Sequence, residues 1–395
     1  MASMRGYARD LAAACAALVA PAARVYPAER RVARLMLLDG ARALAAVAVL
    51  FFHYVHFFYP LGTFAKADAM APHAPMYAQL WLLYELGRFG VQLFWMISGF
   101  VFAAVYYGRP ATSREFVVNR FARLYPLHFA TLLLVTALQF AAIARFGTHL
   151  LFVAFDVPHF FLQLAFASNW LFRFQSSFNG PIWSVSVEVL IYAVFWLTRH
   201  RLPALGVIGP LALAAAMMVL RRTVDQTEVF NCGFHFFLGV ALCTVWRSFV
   251  PLPRTLMTVG GAMLATGAAG LVAVGAERAW VAQIVLVPLL FGGLILLLVA
   301  IEDFAPVRLR AAFAALGDRT YSIYLIHVPV QLAMFLVLGP RIAEFARQAW
   351  FLPLFIGLVM AVAWPCYRWF EAPARDWLRR FARPRPCAAA APAAA

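Results

Sequence analysis

The chain has 395 residues, of which 64% are apolar and only 13% are charged, and its mean hydropathy is +0.80. These values exclude a water-soluble globular enzyme and predict a polytopic membrane protein. The five cysteines are scattered without paired spacing, so the sequence indicates neither a disulfide framework nor a thiolate metal site. The net charge of +16 comes almost wholly from arginine, since Lys66 is the only lysine. In a membrane protein such an excess indicates topology before it suggests a nucleic-acid partner.

Apolar runs of about 20 residues, the length needed to cross a bilayer as a helix, recur along the whole chain. We therefore predict an all-α polytopic membrane helix bundle with about ten transmembrane helices. The sequence outside residues 35–378 is interpreted as an N-terminal extension (1–34) and a disordered, alanine-rich tail (379–395). The ten predicted spans are roughly 37–59, 88–106, 124–145, 182–198, 203–220, 230–249, 255–275, 279–301, 320–339 and 350–370.

Basic residues are divided unequally between the two sides of this bundle. With ten spans both termini lie on one side, and the segments on that side hold 23 of the 33 basic residues, against 9 in the outer segments and Arg42 inside the membrane. The asymmetry predicts that both termini are cytoplasmic. Residues 8–20 are apolar but too short to span, so we assign them to the extension, with a poorly formed signal segment as the alternative.

Arg42 and His53 both lie in the first predicted span, eleven positions apart. At about 100° per residue, eleven steps return to within roughly 20° of the starting direction, so the two side chains share one helix face about 16 Å apart along the axis. A charge near the centre of a span costs on the order of 3 kcal/mol, which favours a functional site that faces the protein interior. The structural alternatives are an arginine that extends its charge to the membrane surface and a histidine hydrogen-bonded to a neighbouring helix.

Glu188 is predicted to lie beside His53. It falls about 10 Å into a helix that enters from the outer side, and His53 falls about 24 Å up a helix from the cytoplasm. In a hydrocarbon core about 30 Å thick the two depths nearly coincide, so the carboxylate could orient the imidazole as a general base. The alternative is that Glu188 pairs with an arginine or a backbone group. Ser98 should lie near mid-membrane, where helix packing explains it at least as well as a role in a site.

A second group of polar side chains is predicted near the cytoplasmic face. Guanidinium groups bind phosphate in a bidentate manner and stay charged, so several arginines there indicate a phosphate-binding entrance, although each one alone could be an ordinary membrane anchor. Asp39 is expected to cap the first helix and to pair with Arg42, a structural role. The candidate residues for binding such a phosphate-bearing ligand at this face are Arg42, Arg120, Arg123, His327 and Tyr324, with Tyr321 in support.

Six segments follow one another along the chain: LDGARALAAVAVLFFHY, FWMISGFV, NRFARLYPLHF, WSVSVEVLIYAVF, LGDRTYSIYLIHVPV and YRWFEAPARDWL. In this order they resemble the successive motifs of the integral-membrane acyltransferase-3 family of O-acyltransferases, over roughly residues 35–378. The resemblance implies a multi-pass protein of the bacterial plasma (inner) membrane that takes an acyl group from cytoplasmic acyl-CoA, usually acetyl-CoA. It implies transfer to a hydroxyl of a glycan, a lipid-linked sugar or a small molecule, with His53 and Arg42 as the essential pair.

The residues fit that chemistry. Coenzyme A carries phosphates at one end of a pantetheine arm about 15–20 Å long, so Arg42 could bind the charged end while the thioester reaches His53. His53 is the candidate base, oriented by Glu188, and an acyl-histidine intermediate is the competing route. The sequence indicates no metal and no bound cofactor, because His53 and His56 lack a third ligand. The rival class is a proton-coupled transporter or exporter, which would also bury Arg, His and Glu, but no internal repeat is visible.

Overall fold

The computed structural model describes residues 2–19, 34–62, 71–107, 109–170, 176–224, 227–274 and 279–382. These stretches are helical, and their only β-type pairing is an isolated bridge between Ala154 and Ser177. The protein is an all-α membrane bundle, as the sequence predicted.

The helices follow one another with short connections. The first nine are α1 (Ala2–Val19), α2 (Met36–Tyr54), α3 (Tyr77–Leu86), α4 (Gly90–Tyr106), α5 (Ser113–Phe146), α6 (Val157–Leu164), α7 (Ile182–Thr198), α8 (Ile208–Thr223) and α9 (Thr227–Phe249). The others are α10 (Pro253–Val274), α11 (Ala279–Val281), α12 (Val287–Ile301), α13 (Val307–Asp318), α14 (Thr320–Leu338), α15 (Ile342–Ala346), α16 (Phe351–Cys366) and α17 (Ala372–Arg379). A π-helical turn, Ala282–Leu286, joins α11 to α12, and another, Tyr367–Glu371, joins α16 to α17.

Eight helices in the described part of the chain are long and apolar enough to cross a membrane, fewer than the ten predicted. The other two predicted spans correspond to α7 and α8, which have only 17 and 16 residues. α7 is at the lower limit of spanning length. α8 begins later than predicted because the chain first forms a short 3-10 turn, Leu202–Leu205. Eight apolar spans and two shorter helices therefore take the place of ten equal ones.

The fifth helix begins eleven residues before the predicted start at position 124. Thr112 and Glu115 form a capping box, in which the Thr112 hydroxyl accepts from the Glu115 N–H (3.2 Å) and the Glu115 carboxylate accepts from the Thr112 N–H (2.9 Å). With 34 residues α5 is roughly 50 Å long, more than a bilayer requires. Its first turns, which carry Arg120 and Arg123, are thus helical rather than part of a connecting loop.

Both predicted terminal segments need correction. The extension contains the helix α1, whose Leu18 carbonyl accepts from the Val207 N–H (2.9 Å) and whose Tyr7 hydroxyl lies 3.0 Å from that of Thr255. At the other end, residues 379–382 continue the last helix instead of beginning a disordered tail. The remaining parts of both predictions, residues 20–33 and 383–395, lie outside the described residues.

α4 and α9 cross in close contact at two glycines. A Cβ on Gly99 would overlap the carbonyl oxygen of Phe236, and one on Gly239 would overlap that of Met96. Small residues that let two backbones approach are a common basis of helix association in membranes. The crossing fixes the position of Ser98, the neighbour of Gly99, which lies about 100° further round α4.

We expect Gly99→Ala to lower the free energy of unfolding by about 1–3 kcal/mol, because the added methyl group must push α9 away. The matched control is Gly261→Ala, where the new Cβ has no heavy atom within 4 Å and alanine favours the helix. Thermal unfolding in detergent would measure both variants. Equal midpoints for the two would contradict this account of the crossing.

Helix α2, which carries Arg42 and His53, is held at both ends. The Glu302 carboxylate, only 5% exposed, accepts from the backbone N–H groups of Met36 and Leu37, each at 2.9 Å. A carboxylate at this end also complements the helix dipole. At the far end, the Gln331 side chain on α14 donates to the carbonyl of His53 (2.8 Å) and the Tyr54 hydroxyl donates to that of Ala346 (2.8 Å).

The predicted roles of Asp39 are therefore wrong. Glu302, from a different helix, provides the N-terminal cap of α2, and no side chain within α2 does so. Asp39 pairs with Arg34 at 2.6 Å instead of with Arg42. Sequence spacing placed Asp39 one turn from Arg42 but could not show that an arginine before the helix was nearer.

Candidate active site

A cavity of about 460 Å³ opens between α2, α4, α5, α7, α14 and the last helix. Most of the predicted polar residues line it, including Ser98 on α4, Glu188 on α7 and both Tyr321 and Tyr324 on α14. Six arginines but only three carboxylates face it, so the cavity is strongly positive. The arginines are Arg34, Arg42, Arg120, Arg123, Arg375 and Arg379, and the carboxylates are those of Asp39, Glu188 and Asp318.

Two of these arginines are available to an anionic ligand. The Nε atoms of Arg42 and Arg120 are buried and have no hydrogen-bond partner among the residues that the structure describes. The Arg120 guanidinium lies over the ring of Phe102, 4.8 Å from its centroid, which holds the group in place without occupying its N–H donors. A buried guanidinium N–H group without an acceptor destabilises the fold, and a bound ligand can supply that acceptor.

Other arginines of the cavity are already engaged. Arg123 forms an ion pair with Glu371 at 2.7 Å, and Glu371, 2% exposed, also accepts from the Ser322 hydroxyl at 2.5 Å. Arg34 bridges Asp39 and Asp318, each at 2.6 Å, at the edge of the cavity. The structure thus divides the predicted donor-binding arginines into Arg42 and Arg120, which are open to a ligand, and Arg123, which ties α5 to the last helix.

Glu188 does not contact His53 in the structure. Its carboxylate lies in the arginine-lined cavity, beside the hydroxyls of Ser98 and Tyr192, with Arg42 and Arg120 as the nearest cations. The predicted orientation of His53 by Glu188 is therefore wrong. The alternative, an ion pair between Glu188 and an arginine, is not formed either, because Arg42 and Arg120 make no salt bridge with it and its Oε1 has no partner among the described residues. Similar depth along two helices did not make the two residues neighbours.

His53 instead pairs with His327. The Nδ1 atom of His53 lies 2.8 Å from Nε2 of His327, and the two rings are nearly parallel, edge to edge, with centroids 4.9 Å apart. The ring of His56 is also nearly parallel to that of His53, with centroids 5.0 Å apart. His327 was expected at the donor-binding entrance, but it is fully buried beside His53 and does not line the cavity. Three histidines, His53, His56 and His327, therefore cluster at this point of the bundle.

The hydrogen bond of the pair allows one arrangement that suits a base. If Nδ1 of His53 carries the shared proton, Nε2 of His327 accepts it and Nε2 of His53 keeps a free lone pair. Nδ1 of His327 has no hydrogen-bond partner among the described residues. His327, rather than Glu188, is the residue positioned to orient His53.

Tyr324 connects the cavity to the histidine pair. Its ring lines the cavity and lies 6.0 Å, centroid to centroid, from the ring of His327 one turn further along α14. Its hydroxyl is held by Ser184 at 2.9 Å and by the carbonyl of Pro181 at 3.2 Å. Tyr321 is fixed similarly, since its hydroxyl donates to the Leu124 carbonyl at 2.8 Å. Tyr324 thus lies between the positive cavity and His327, the partner of the candidate base.

Several cavity residues were missed by the sequence analysis. Tyr192 is one turn beyond Glu188 and could have been found from that spacing. Arg375 and Arg379, which line the cavity, and Glu371, which pairs with Arg123, follow the predicted end of the last span at position 370, so they were not considered as site residues. The described residues contain no group of three or more His, Cys, Asp or Glu side chains that could hold a metal ion.

A multi-pass helical bundle with an arginine-lined cavity near paired histidines defines a membrane protein with a positively charged internal site. The particular family follows from comparison with known sequences. The family model described as an acyltransferase domain matches residues 37–368, and the chain belongs to this acyltransferase-3 family. The protein is accordingly an acyltransferase of the membrane.

Three relatives illustrate the range of the family. The exopolysaccharide production protein ExoZ of Rhizobium meliloti (strain 1021) is 28% identical over 262 residues, which cover 62% of this chain and 76% of that protein. Acyltransferase MdmB of Streptomyces mycarofaciens is 26% identical over 76% of this chain and 80% of its own length. Peptidoglycan O-acetyltransferase OatA of Listeria monocytogenes is 23% identical over 86% of this chain, but the match spans only 55% of that relative. No solved structure matches the chain.

Proposed function

We propose that this protein is an O-acyltransferase that takes an acyl group, in the simplest case acetyl, from cytoplasmic acyl-CoA and transfers it to a hydroxyl of a glycan or another exported acceptor. The observation that carries the proposal is that an arginine-lined cavity and a histidine pair lie at separate places in the bundle. An arginine-lined cavity suits the phosphates of a donor, and a neutral histidine pair suits proton transfer. A single tyrosine, Tyr324, lies between them.

Coenzyme A fits the positive cavity in both charge and length. Its diphosphate and ribose phosphate would find the unpaired guanidinium groups of Arg42 and Arg120, which can bind phosphate oxygens in a bidentate manner. The pantetheine arm is about 15–20 Å long when extended, close to the roughly 16 Å that separate Arg42 from His53 along α2. The thioester would then pass Tyr324 and arrive next to the histidine pair.

His53 would act as general base through Nε2. As the acceptor hydroxyl attacks the thioester carbonyl, a carbon–oxygen bond forms and the proton of the hydroxyl moves to Nε2 of His53. The carbon–sulfur bond then breaks, and the leaving thiolate of coenzyme A takes that proton. His327 supports the step because its Nε2 accepts a hydrogen bond from the imidazolium that forms at His53. An acyl-histidine intermediate is the competing route through the same residue.

The names of the relatives support a glycan as acceptor. ExoZ is named for exopolysaccharide production and OatA for O-acetylation of peptidoglycan. For this chain we therefore favour a sugar hydroxyl over other alcohols. We also propose that the protein lies in the bacterial plasma (inner) membrane with both termini in the cytoplasm, as the excess of basic residues on that side suggests.

Sided membrane vesicles test the reaction and the topology together. Acetyl-CoA labelled in its acetyl group cannot cross the bilayer, so we expect labelled glycan only when the donor is supplied at the cytoplasmic face. The acceptor would be surface polysaccharide of the producing cell, freed of its O-acyl groups by mild alkali, and the control would be vesicles without the protein. Label transferred only from donor at the outer face would overturn the proposed topology. A lack of transfer from either face would favour the transporter alternative.

A further inference from the structure

A second, smaller cavity of about 220 Å³ lies between α6 and the first turns of α7 and α9, and none of the six arginines of the first cavity lines it. Both of those turns begin on the side of the bundle where α2 ends, which is the outer side in the proposed topology. The walls are mainly uncharged and polar. The residues that line the cavity include Gln163, Ser168, Asn169, Ser177, Trp183 and Glu228.

Two buried side chains of this cavity present oxygens that lack partners. Ser168, 2% exposed, has no hydrogen-bond partner for its hydroxyl among the described residues. Gln163, 1% exposed, donates its amide N–H to the Ser177 carbonyl (2.8 Å), but its Oε1 accepts from no described residue. Buried polar atoms are nearly always satisfied in proteins, so these oxygens indicate that a ligand supplies hydrogen bonds here. An amide oxygen can only accept, which requires a ligand with O–H or N–H donors.

The charge of the cavity walls further limits the kinds of ligand that this cavity can bind. No described residue that lines this cavity is basic, and Glu228 contributes a carboxylate, so phosphorylated or otherwise anionic groups are disfavoured. The indole of Trp183 provides a flat apolar surface against which the C–H face of a sugar ring can pack. The cavity lined by six arginines therefore suits an anionic molecule, whereas the second cavity suits a neutral molecule with hydrogen-bond donors.

Two residues link the second cavity to the histidine cluster. Asn179, whose carbonyl accepts from Gln163 (3.5 Å), donates through its side chain to the carbonyl of Leu325 (3.1 Å), two residues before His327. Phe152 forms a second link, since it packs directly on Gly180 at the cavity wall and its ring lies 5.6 Å from that of His56. A molecule in the second cavity would thus lie near the histidine cluster, separated from its rings by Asn179 and Phe152.

We propose that this cavity is the acceptor site and that it binds a neutral, polyhydroxylated sugar unit through Gln163, Ser168 and Trp183. The inference rests on the proposed acyl transfer. It assigns donor and acceptor to two separate cavities, each linked to the histidine cluster by residues of its wall.

Steady-state kinetics of Trp183→Ala and Ser168→Ala test the assignment in protein purified into nanodiscs. The donor is labelled acetyl-CoA, and the acceptor is the same alkali-treated surface polysaccharide. We expect the KM for polysaccharide to rise at least about tenfold in Trp183→Ala and about threefold in Ser168→Ala, where one hydrogen bond is lost, with the KM for acetyl-CoA unchanged. Trp280→Ala, at a side chain that is 61% exposed and lines neither cavity, is the matched control and should keep both constants.

The outcomes separate this inference from the proposed function. Because Trp183 also packs edge-on against Trp95, with ring centroids 5.8 Å apart, its replacement could disturb the fold, whereas Ser168→Ala removes only a hydroxyl. An unchanged polysaccharide KM in Ser168→Ala, or an equal rise in the KM of donor and acceptor, would overturn the acceptor site. Wild-type protein that transfers no label would instead overturn the proposed function itself.

Discussion

Replacing His53 with glutamine should lower the rate of acyl transfer by about 10²–10⁴-fold while leaving donor binding intact, because glutamine cannot take up the hydroxyl proton. Its amide N–H can still donate to Nε2 of His327, so the hydrogen bond between α2 and α14 is preserved. Transfer from labelled acetyl-CoA and equilibrium binding of the same donor would be measured on purified, correctly inserted protein.

The matched control is His56→Gln. His56 stacks on His53 and lies 3.4 Å from the Gln331 side chain, but it does not contact His327 through a ring nitrogen. We expect a loss of less than tenfold, since the base and its partner both remain. Near-normal transfer by His53→Gln would rule out His53 as the base, and an equally large loss in both variants would indicate that the cluster is structural.

Arg42→Ala should raise the KM for acyl-CoA by about 10–100-fold with a smaller effect on kcat, because one or two charge-assisted hydrogen bonds to phosphate disappear. Arg42→Lys keeps the charge but loses the planar fork of donors, so its KM should lie between those of wild type and Arg42→Ala. The constants would be measured at saturating acceptor.

Arg254→Ala is the control for nonspecific loss of positive charge. Arg254 is exposed at the start of α10 and lines neither cavity, so both kinetic constants should stay at their wild-type values. Unchanged donor affinity in Arg42→Ala would assign this arginine to the neutralisation of Glu188 rather than to the donor. Comparison with Arg120→Ala would then show which buried guanidinium binds phosphate.

The helical class and the first helix could be predicted because hydrophobicity and helical periodicity are local properties of the sequence. Arg42 does line the cavity, as a residue on an inward-facing seam should. Helix ends were less predictable. The early start of α5 was encoded by Thr112 and Glu115, but in a membrane protein a search for apolar runs does not register polar capping residues.

Lateral neighbours could not be predicted at all. Depth along a helix places a residue at a level in the membrane, but the position of that helix around the bundle depends on all the others. Glu188 and His53 were assigned similar depths, yet α7 directs Glu188 to Arg42 and Arg120, and α14 brings His327 to His53. The sequence analysis placed His327 too near the arginine-lined cavity, because it considered α14 without α2, the helix that carries His53.

The anchoring of α2 has a consequence for the choice among donors. With Glu302 at one end and Gln331 at the other, the interval between Arg42 and His53 is set by the covalent geometry of a single helix and has little freedom to change. In acetyl phosphate a single oxygen joins the phosphorus to the acyl carbon, so a molecule held at Arg42 would leave its carbonyl roughly 10 Å or more from His53. If Arg42 and His53 act as proposed, we therefore expect this helix to exclude short activated acyl compounds as donors.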